Sequence, residues 1–205
     1  MSKPSIWMLA SILVLAAADA IPGQVPNVQI FFEGNPATKV FHTTESDCYP
    51  PGTFQNLYVV MNNWNMWVQA VEFSVDYPPA LFWAADEAPI NTLVIGSSPS
   101  DFPNGYGTGG IAIAWQFPQN AYEPLLAITA KTIWTGSCWC PDGPSPLRVR
   151  GYAYNNAGNG GNVDPVAVRW PDFAELPGIG MMSLVCSNPP ATAVTTWGRI
   201  KALYR

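Results

Sequence analysis

The chain has 205 residues, 11% of them charged, and a formal net charge of −5 at pH 7. Its nine lysines and arginines are scattered, which excludes the basic footprint of nucleic-acid binding. Twenty-one prolines and nine tryptophans suit short strands joined by rigid turns.

The chain begins MSKPSIWMLASILVLAAADAIPGQ. Lys3 precedes an apolar run, Ser5 to Ala18, of about 14 residues, short of the roughly 20 that a membrane span needs. Ala18-Asp19-Ala20 places small residues where signal peptidase reads them, and Ile21-Pro22-Gly23 breaks a helix immediately afterwards. We therefore expect a secretory signal over residues 1–20, cleaved after Ala20, one domain over 21–190 and a tail over 191–205. No later segment has the length and apolarity of a membrane-spanning helix.

Beyond the leader, apolar residues recur with period two, the mark of half-buried strands. The first candidates are VQIFF from Val28, KVFHT from Lys39 and NLYVVM from Asn56. In WVQAVEFSVDYPP, Val71, Phe73, Val75 and Tyr77 share one face, with Ala70, Glu72, Ser74 and Asp76 on the other. TLVIG from Thr92 follows, and then IAIAWQF aligns Ile111, Ile113, Trp115 and Phe117. LLAITAKTIW puts Leu126, Ile128, Ala130 and Trp134 together. LRVRGYAY alternates Val149 with Arg148 and Arg150, and VAVRW alternates Val166, Val168 and Trp170 with Ala167 and Arg169. MMSLVC from Met181 is the last candidate. About ten strands separated by Pro, Gly and Asn clusters, with no internal helical period, predict an all-β antiparallel sandwich of immunoglobulin-like type. Trp197, Ile200 and Leu203 or Tyr204 fall at helical spacing after Thr195 or Thr196, predicting a short C-terminal helix packed on the sandwich.

The four cysteines are Cys48, Cys138, Cys140 and Cys186. Behind an export signal, an even count reads as disulfides, and four cysteines allow three connectivities. In an extended chain, residues two apart project in parallel about 6.5 Å apart, whereas a disulfide needs converging Cβ atoms about 3.8 Å apart. A direct Cys138–Cys140 bond therefore needs a strained turn, which Gly136 and Pro141-Asp142-Gly143 would permit. The preferred reading crosses both to Cys48 and Cys186. Zinc sites favour C-x₂-C pairs supported by histidine, which the C-x-C pair here does not supply.

Catalytic machinery is sparse. The single histidine, His42, lies in a candidate edge strand, and no serine sits in a G-x-S-x-G elbow. Glu72 and Asp76 stand about 13 Å apart along one strand, too far for a glycosidase pair. The loop NNAGNGGNVDP carries one carboxylate, Asp164, where calcium loops carry several. Asp86-Glu87 reads as a surface loop. No catalytic residue, cofactor or metal site is assigned.

Aromatic residues are the stronger binding signal. Trp115, Trp134 and Trp170 lie on apolar strand faces and read as core. Trp64 and Trp67 in MNNWNMWVQ flank asparagines in a turn, Trp83 follows Pro78-Pro79 in a loop, and Trp139 sits between two cysteines. Those four are the candidate ligand-contact aromatics.

The stretch NLYVVMNNWNMWVQAVEFSVDYPPALFW carries the pattern F-x-V-x-Y-x-x-x-L at Phe73, Val75, Tyr77 and Leu81. With the later IAIAWQFP and PLLAITAKTIW, it resembles the early strands of cohesin-like and related carbohydrate-module sandwiches over half of the chain. VEFSVDYPP, AWQFPQNAYEPLL, RWPDFA, GMMSLVC and the ending TTWGRIKALYR also resemble a family of secreted bacterial proteins, which brings no catalytic residue with it. The cohesin likeness implies a non-catalytic module whose partner is an extracellular or cell-envelope protein; the recognition positions of cohesins have no counterpart that can be mapped here. The alternative is glycan binding through exposed tryptophans, and the third reading is a hydrolase.

Overall fold

The computed structural model describes residues 24–46, 49–78, 81–96, 110–135, 145–151 and 164–185, and the regular elements among them are all strands. In chain order they are β1 (Asn27–Phe31), β2 (Glu33–Asn35), β3 (Val40–His42), β4 (Glu45–Ser46), β5 (Phe54–Asn62), β6 (Trp67–Asp76), β7 (Leu81–Glu87) and β8 (Thr92–Gly96). They continue as β9 (Ile111–Asn120), β10 (Leu125–Trp134), β11 (Ser145–Arg150), β12 (Val166–Arg169), β13 (Glu175–Pro177), β14 (Ile179–Gly180) and β15 (Met182–Val185). The four cysteines, Trp139 and the tail expected to be helical lie outside the described residues.

The period-two pattern builds two facing sheets. The first has the order β14-β1-β5-β10-β7. In the second, β6 is central: β9 and then β8 lie along one edge, while β12 and β11 lie along the other. Inner-face residues meet in one core. Val71, Phe73 and Val75 of β6 and Ile111 and Ile113 of β9 pack in the same cluster as Val28, Ile30, Val59 and Met61 of the first sheet. Each such side chain contributes roughly 1.5–3 kcal/mol on burial.

β11 and β12 form a single line along β6, broken by an excursion. Arg150 pairs with Ser74 and Val166 with Glu72. The chain therefore leaves this line just after Arg150 and rejoins it at Val166. The expected "LRVRGYAY" and "VAVRW" strands are both present, but they occupy one strand position.

The sandwich is antiparallel as expected, apart from two short pairings near its last strand. β13 pairs with β12 and β15 with β11 in the second sheet, while β14 between them pairs in parallel with β1 of the first. β15 also runs parallel to β4. The segment thus stitches the two sheets along one side. The stitch needs very close backbone approach, which is why glycine occupies it: a Cβ on Gly180 would sit 2.0 Å from the Val149 carbonyl oxygen. Ser183 Oγ adds a tie by donating to the Ile30 carbonyl at 2.6 Å.

The outer face of the first sheet is roofed. The β2–β3 hairpin folds back on it, placing the Phe41 ring 5.8 Å from that of Phe31 and 5.7 Å from that of Tyr58. Gly34 lets the Phe41 ring lie directly on its backbone, since a Cβ there would meet Phe41 Cδ1 at 2.4 Å. Lys39 Nζ, in the hairpin turn, pairs with Glu123 Oε2 at 3.0 Å. Val60, which shares this outer face with Tyr58, is fully buried yet belongs to no part of the central core.

Candidate functional site: the outer face of the second sheet

The second sheet has no comparable roof among the described residues. Directly opposed residues in antiparallel strands share a face, so the register reads out the composition of this surface. One row runs Leu93, Ala114, Ala70, Val168, Glu175 from β8 to β13. The next runs Ile95, Ala112, Glu72, Val166, Pro177. Leu93 and Ile95, on the edge strand, are 60% and 54% exposed. The alanines between the larger aliphatics of β8 and β12 leave a shallow apolar trough.

Local sequence explains why β12 contributes to it. VAVRW suggests that Val166, Val168 and Trp170 face the core. The structure reverses this: Ala167 is the residue opposite Val71 and fully buried, and the two valines face outward. Trp170, expected in the core, is likewise 42% exposed.

β9 is distorted beside the trough. Between Ala114 and Gln119 it places Trp115, Gln116, Phe117 and Pro118 against the single Gln69 of β6. Gln69 Nε2 donates to the Trp115 carbonyl inside this bulge, and the Gln116 N–H donates to the Asn91 carbonyl at 2.9 Å. An inserted stretch of this kind re-aims the side chains that follow. Trp115 stays buried as expected, but Phe117, expected beside it in the core, is 63% exposed. The bulge and the start of β8 enclose an open depression of about 430 Å³, lined by Asn91, Thr92, Leu93, Ala114, Trp115 and Gln116.

An aromatic corner lies where β6 begins and β12 ends. The Trp170 N–H donates to the Trp67 carbonyl at 2.9 Å, bringing the two residues together. Phe173 packs edge-on against Trp170, with centroids 5.4 Å apart and planes at 86°. The loop is braced by Arg169, whose Nε donates to Asp172 Oδ1 at 3.0 Å. That hydrogen bond outweighs the cost of desolvation and, with lesser help from the Ala174 N–H and the guanidinium charge, lowers the Asp172 carboxyl to about 2.

The four candidate aromatics separate. Trp67 is on this face and half-exposed. Trp64 is buried instead, because the turn between β5 and β6 holds Asn63 and Asn65 at φ of 61° and 50° and directs the indole inward. Its Nε1 donates to the Asn27 carbonyl at 3.0 Å, and its ring fills the space left by Gly178, where a Cβ would lie 2.5 Å from it. Trp83 is also buried, because Leu81–Glu87 is a strand and not a loop. Its Nε1 donates to Asp86 Oδ1 at 2.7 Å, and its ring lies 5.5 Å from that of Tyr77. Trp139 lies outside the described residues. The alternation of Leu81 with Trp83 was the available sequence signal for β7.

His42 stands on the β2–β3 hairpin opposite Glu33, over the first sheet. Among the described residues no three His, Cys, Asp or Glu are grouped to hold a metal ion, and no helix is long and apolar enough to cross a membrane.

Although the cysteines are not described, the residues nearest them are. Ser46 and Val185, which precede Cys48 by two residues and Cys186 by one, are register partners. Val185 also pairs with Ser145, five residues after Cys140. Trp134, four residues before Cys138, donates from Nε1 to Gln55 Oε1 at 3.0 Å, and Ser46 Oγ reaches the same oxygen at 3.5 Å.

A two-sheet β-sandwich is the class of protein that these features define, with the outer face of its second sheet uncovered among the described residues. No protein-family model matches the chain, and no curated protein matches it. Solved structures do. The sixth cohesin of scaffoldin B from Acetivibrio cellulolyticus, solved in complex with a mutant dockerin, matches at TM-score 0.50 and 12% identity, over 80% of this chain and 100% of that one. A cohesin module of the family 33 glycoside hydrolase from Clostridium perfringens matches at TM-score 0.49 and 12% identity, over 78% and 96% of the two chains. At this identity the likeness to the A. cellulolyticus module is one of fold: the chain is a cohesin-like β-sandwich.

Proposed function

We propose that this chain is a secreted, non-catalytic interaction module that binds an extracellular or cell-envelope protein on the outer face of its second sheet. The observation that supports the reading most directly is the apolar surface that no described residue covers. Leu93, Ile95, the alanines of β6 and β9, and Val166 and Val168 form one continuous patch, bordered by an uncharged edge strand. Soluble proteins rarely leave such a patch and such an edge open without a partner. The dockerin-bound cohesin of similar fold supports the choice of a protein as the ligand class.

Glycan stacking is the weaker reading. It calls for a row of coplanar exposed rings, whereas Trp64 and Trp83 are buried and Trp170 and Phe173 meet at 86°. The decisive experiment compares capture from the source cell envelope by the natural chain and by Leu93→Glu/Ile95→Glu. A protein retained by the first and lost by the second supports the reading. Equal retention by both, or a strong glycan-array signal that survives the double substitution, overturns it.

Export and disulfide bonding belong to the same proposal. All four cysteines lie within a few residues of chain positions gathered at one end of the sandwich, and this proximity supports two bridges there. A peptide mass map of the non-reduced protein is expected to link Cys138 and Cys140 to Cys48 and Cys186, starting at Ile21. A peptide held only by a Cys138–Cys140 link overturns the crossed pairing.

A further inference from the structure

The trough is apolar with one exception near its middle. Glu72 projects from β6 with Ala112 opposite it on one side and Val166 on the other. It makes no hydrogen bond or ion pair among the described residues, and neither does Glu175 at the end of the neighbouring row. Two of the cations in this sheet are paired elsewhere, Arg150 with Asp76 and Arg169 with Asp172. Arg148 stands opposite Asp76, four residues along β6 from Glu72, and touches Met182.

A bare carboxylate on this face is tolerated because water reaches it. A partner that covers the trough removes that water. Covering an ionised carboxylate without a counter-charge is strongly unfavourable, whereas pairing it with a hydrogen-bonded cation offsets the loss. An apolar partner, or an acidic one, is therefore rejected at Glu72 even where its shape fits. The depression beside Leu93 and Ala114 sets a second requirement. Ala114 lies two residues from Ala112, about 6.6 Å along β9. A partner that meets both places an apolar side chain one short step from its cation.

We propose that the occupant of this face is a cationic amphipathic segment, with a lysine or arginine paired to Glu72 and a bulky apolar side chain seated in the depression at Leu93 and Ala114. This rests on the reading of the face as a protein-binding surface and adds the chemistry of the partner. Charge complementarity favours the same occupant: among the described residues the two rows carry two carboxylates without an ion-pair partner and no cation, on a chain of net charge −5.

The test uses the full mature chain as bait for a phage-displayed library of random peptides. Selected peptides are synthesised, labelled and titrated by fluorescence anisotropy against the natural chain, Glu72→Gln and Ala114→Arg. Urea unfolding of each variant confirms that both fold. The expected result is enrichment of peptides that carry Lys or Arg beside a large apolar residue, and affinity that falls as salt rises. Glu72→Gln is expected to weaken binding about 10- to 100-fold, as loss of a charge-assisted hydrogen bond does, and Ala114→Arg to abolish it. If Ala114→Arg abolishes binding while Glu72→Gln changes it less than twofold, the face binds peptides but the cationic partner is overturned. If neither substitution matters, or no peptide is selected, both the partner chemistry and the face are overturned.

Discussion

The two sheets of this sandwich bury the same kind of residue inward and treat their outer faces in opposite ways. On the first sheet, Phe31 and Tyr58 are covered by the β2–β3 hairpin, which is held by Phe41 and by the Lys39–Glu123 pair. On the second, Leu93 and Ile95 stand in solvent on the same face as Val166 and Val168, across β9 and β6. Among the described residues, a hairpin hides the outer-face apolar residues of one sheet and nothing comparable covers the other, and this contrast motivates the proposed docking face.

The contrast is sharpest at the tryptophans. Trp64→Ala is expected to cost about 3–5 kcal/mol, as removal of a buried aromatic with a satisfied N–H does. Trp67→Ala, three residues on, is expected to cost under about 1 kcal/mol in stability and to act on partner binding. Urea unfolding of the two variants measures both. Equal losses would mean that the aromatic corner belongs to the fold and not to the exposed face.

A smaller effect separates the faces themselves. Phe41→Ala removes the ring that joins the roof to the first sheet and is expected to cost about 2–3 kcal/mol. Leu93→Ser on the open face is expected to stay within about 0.5 kcal/mol. A large loss for Leu93→Ser would place that side chain in the structural core, and the proposed docking face would lose its edge.

The smallest effect concerns the loop that holds Trp170 and Phe173. Asp172 titrates at about 2 in the folded chain, below its ordinary value of 3.8. A depressed carboxylate contributes its stability above the unfolded value and loses it as the pH falls through the folded one. The brace is thus complete above pH 3.8 and released on acidification through about 2. An NMR titration of the Asp172 carboxyl carbon measures this directly. A midpoint at 3.8 or higher would show that Arg169 does not hold the carboxylate in solution.

Much of the architecture is readable from residue order. The alternation at Val71, Phe73, Val75 and Tyr77 marks a buried strand face, and the structure buries all four. Trp115 and Trp134 follow the same rule. The candidate site is less legible, for definite reasons. Phe117 leaves the expected face because four residues of β9 oppose one of β6, and an inserted residue changes every facing that follows. Val166 and Val168 face outward because Ala167 between them takes the inward position opposite Val71.

By itself the sequence determined the all-β class and most of the inward-facing set, because period-two alternation is a local consequence of strand geometry. Which apolar residues remain uncovered was decided only by tertiary structure. That choice depends on the hairpin folded over one sheet, the bulge in β9 and the stitch at Gly180. Each is a contact between residues distant in sequence, and none leaves a periodic mark.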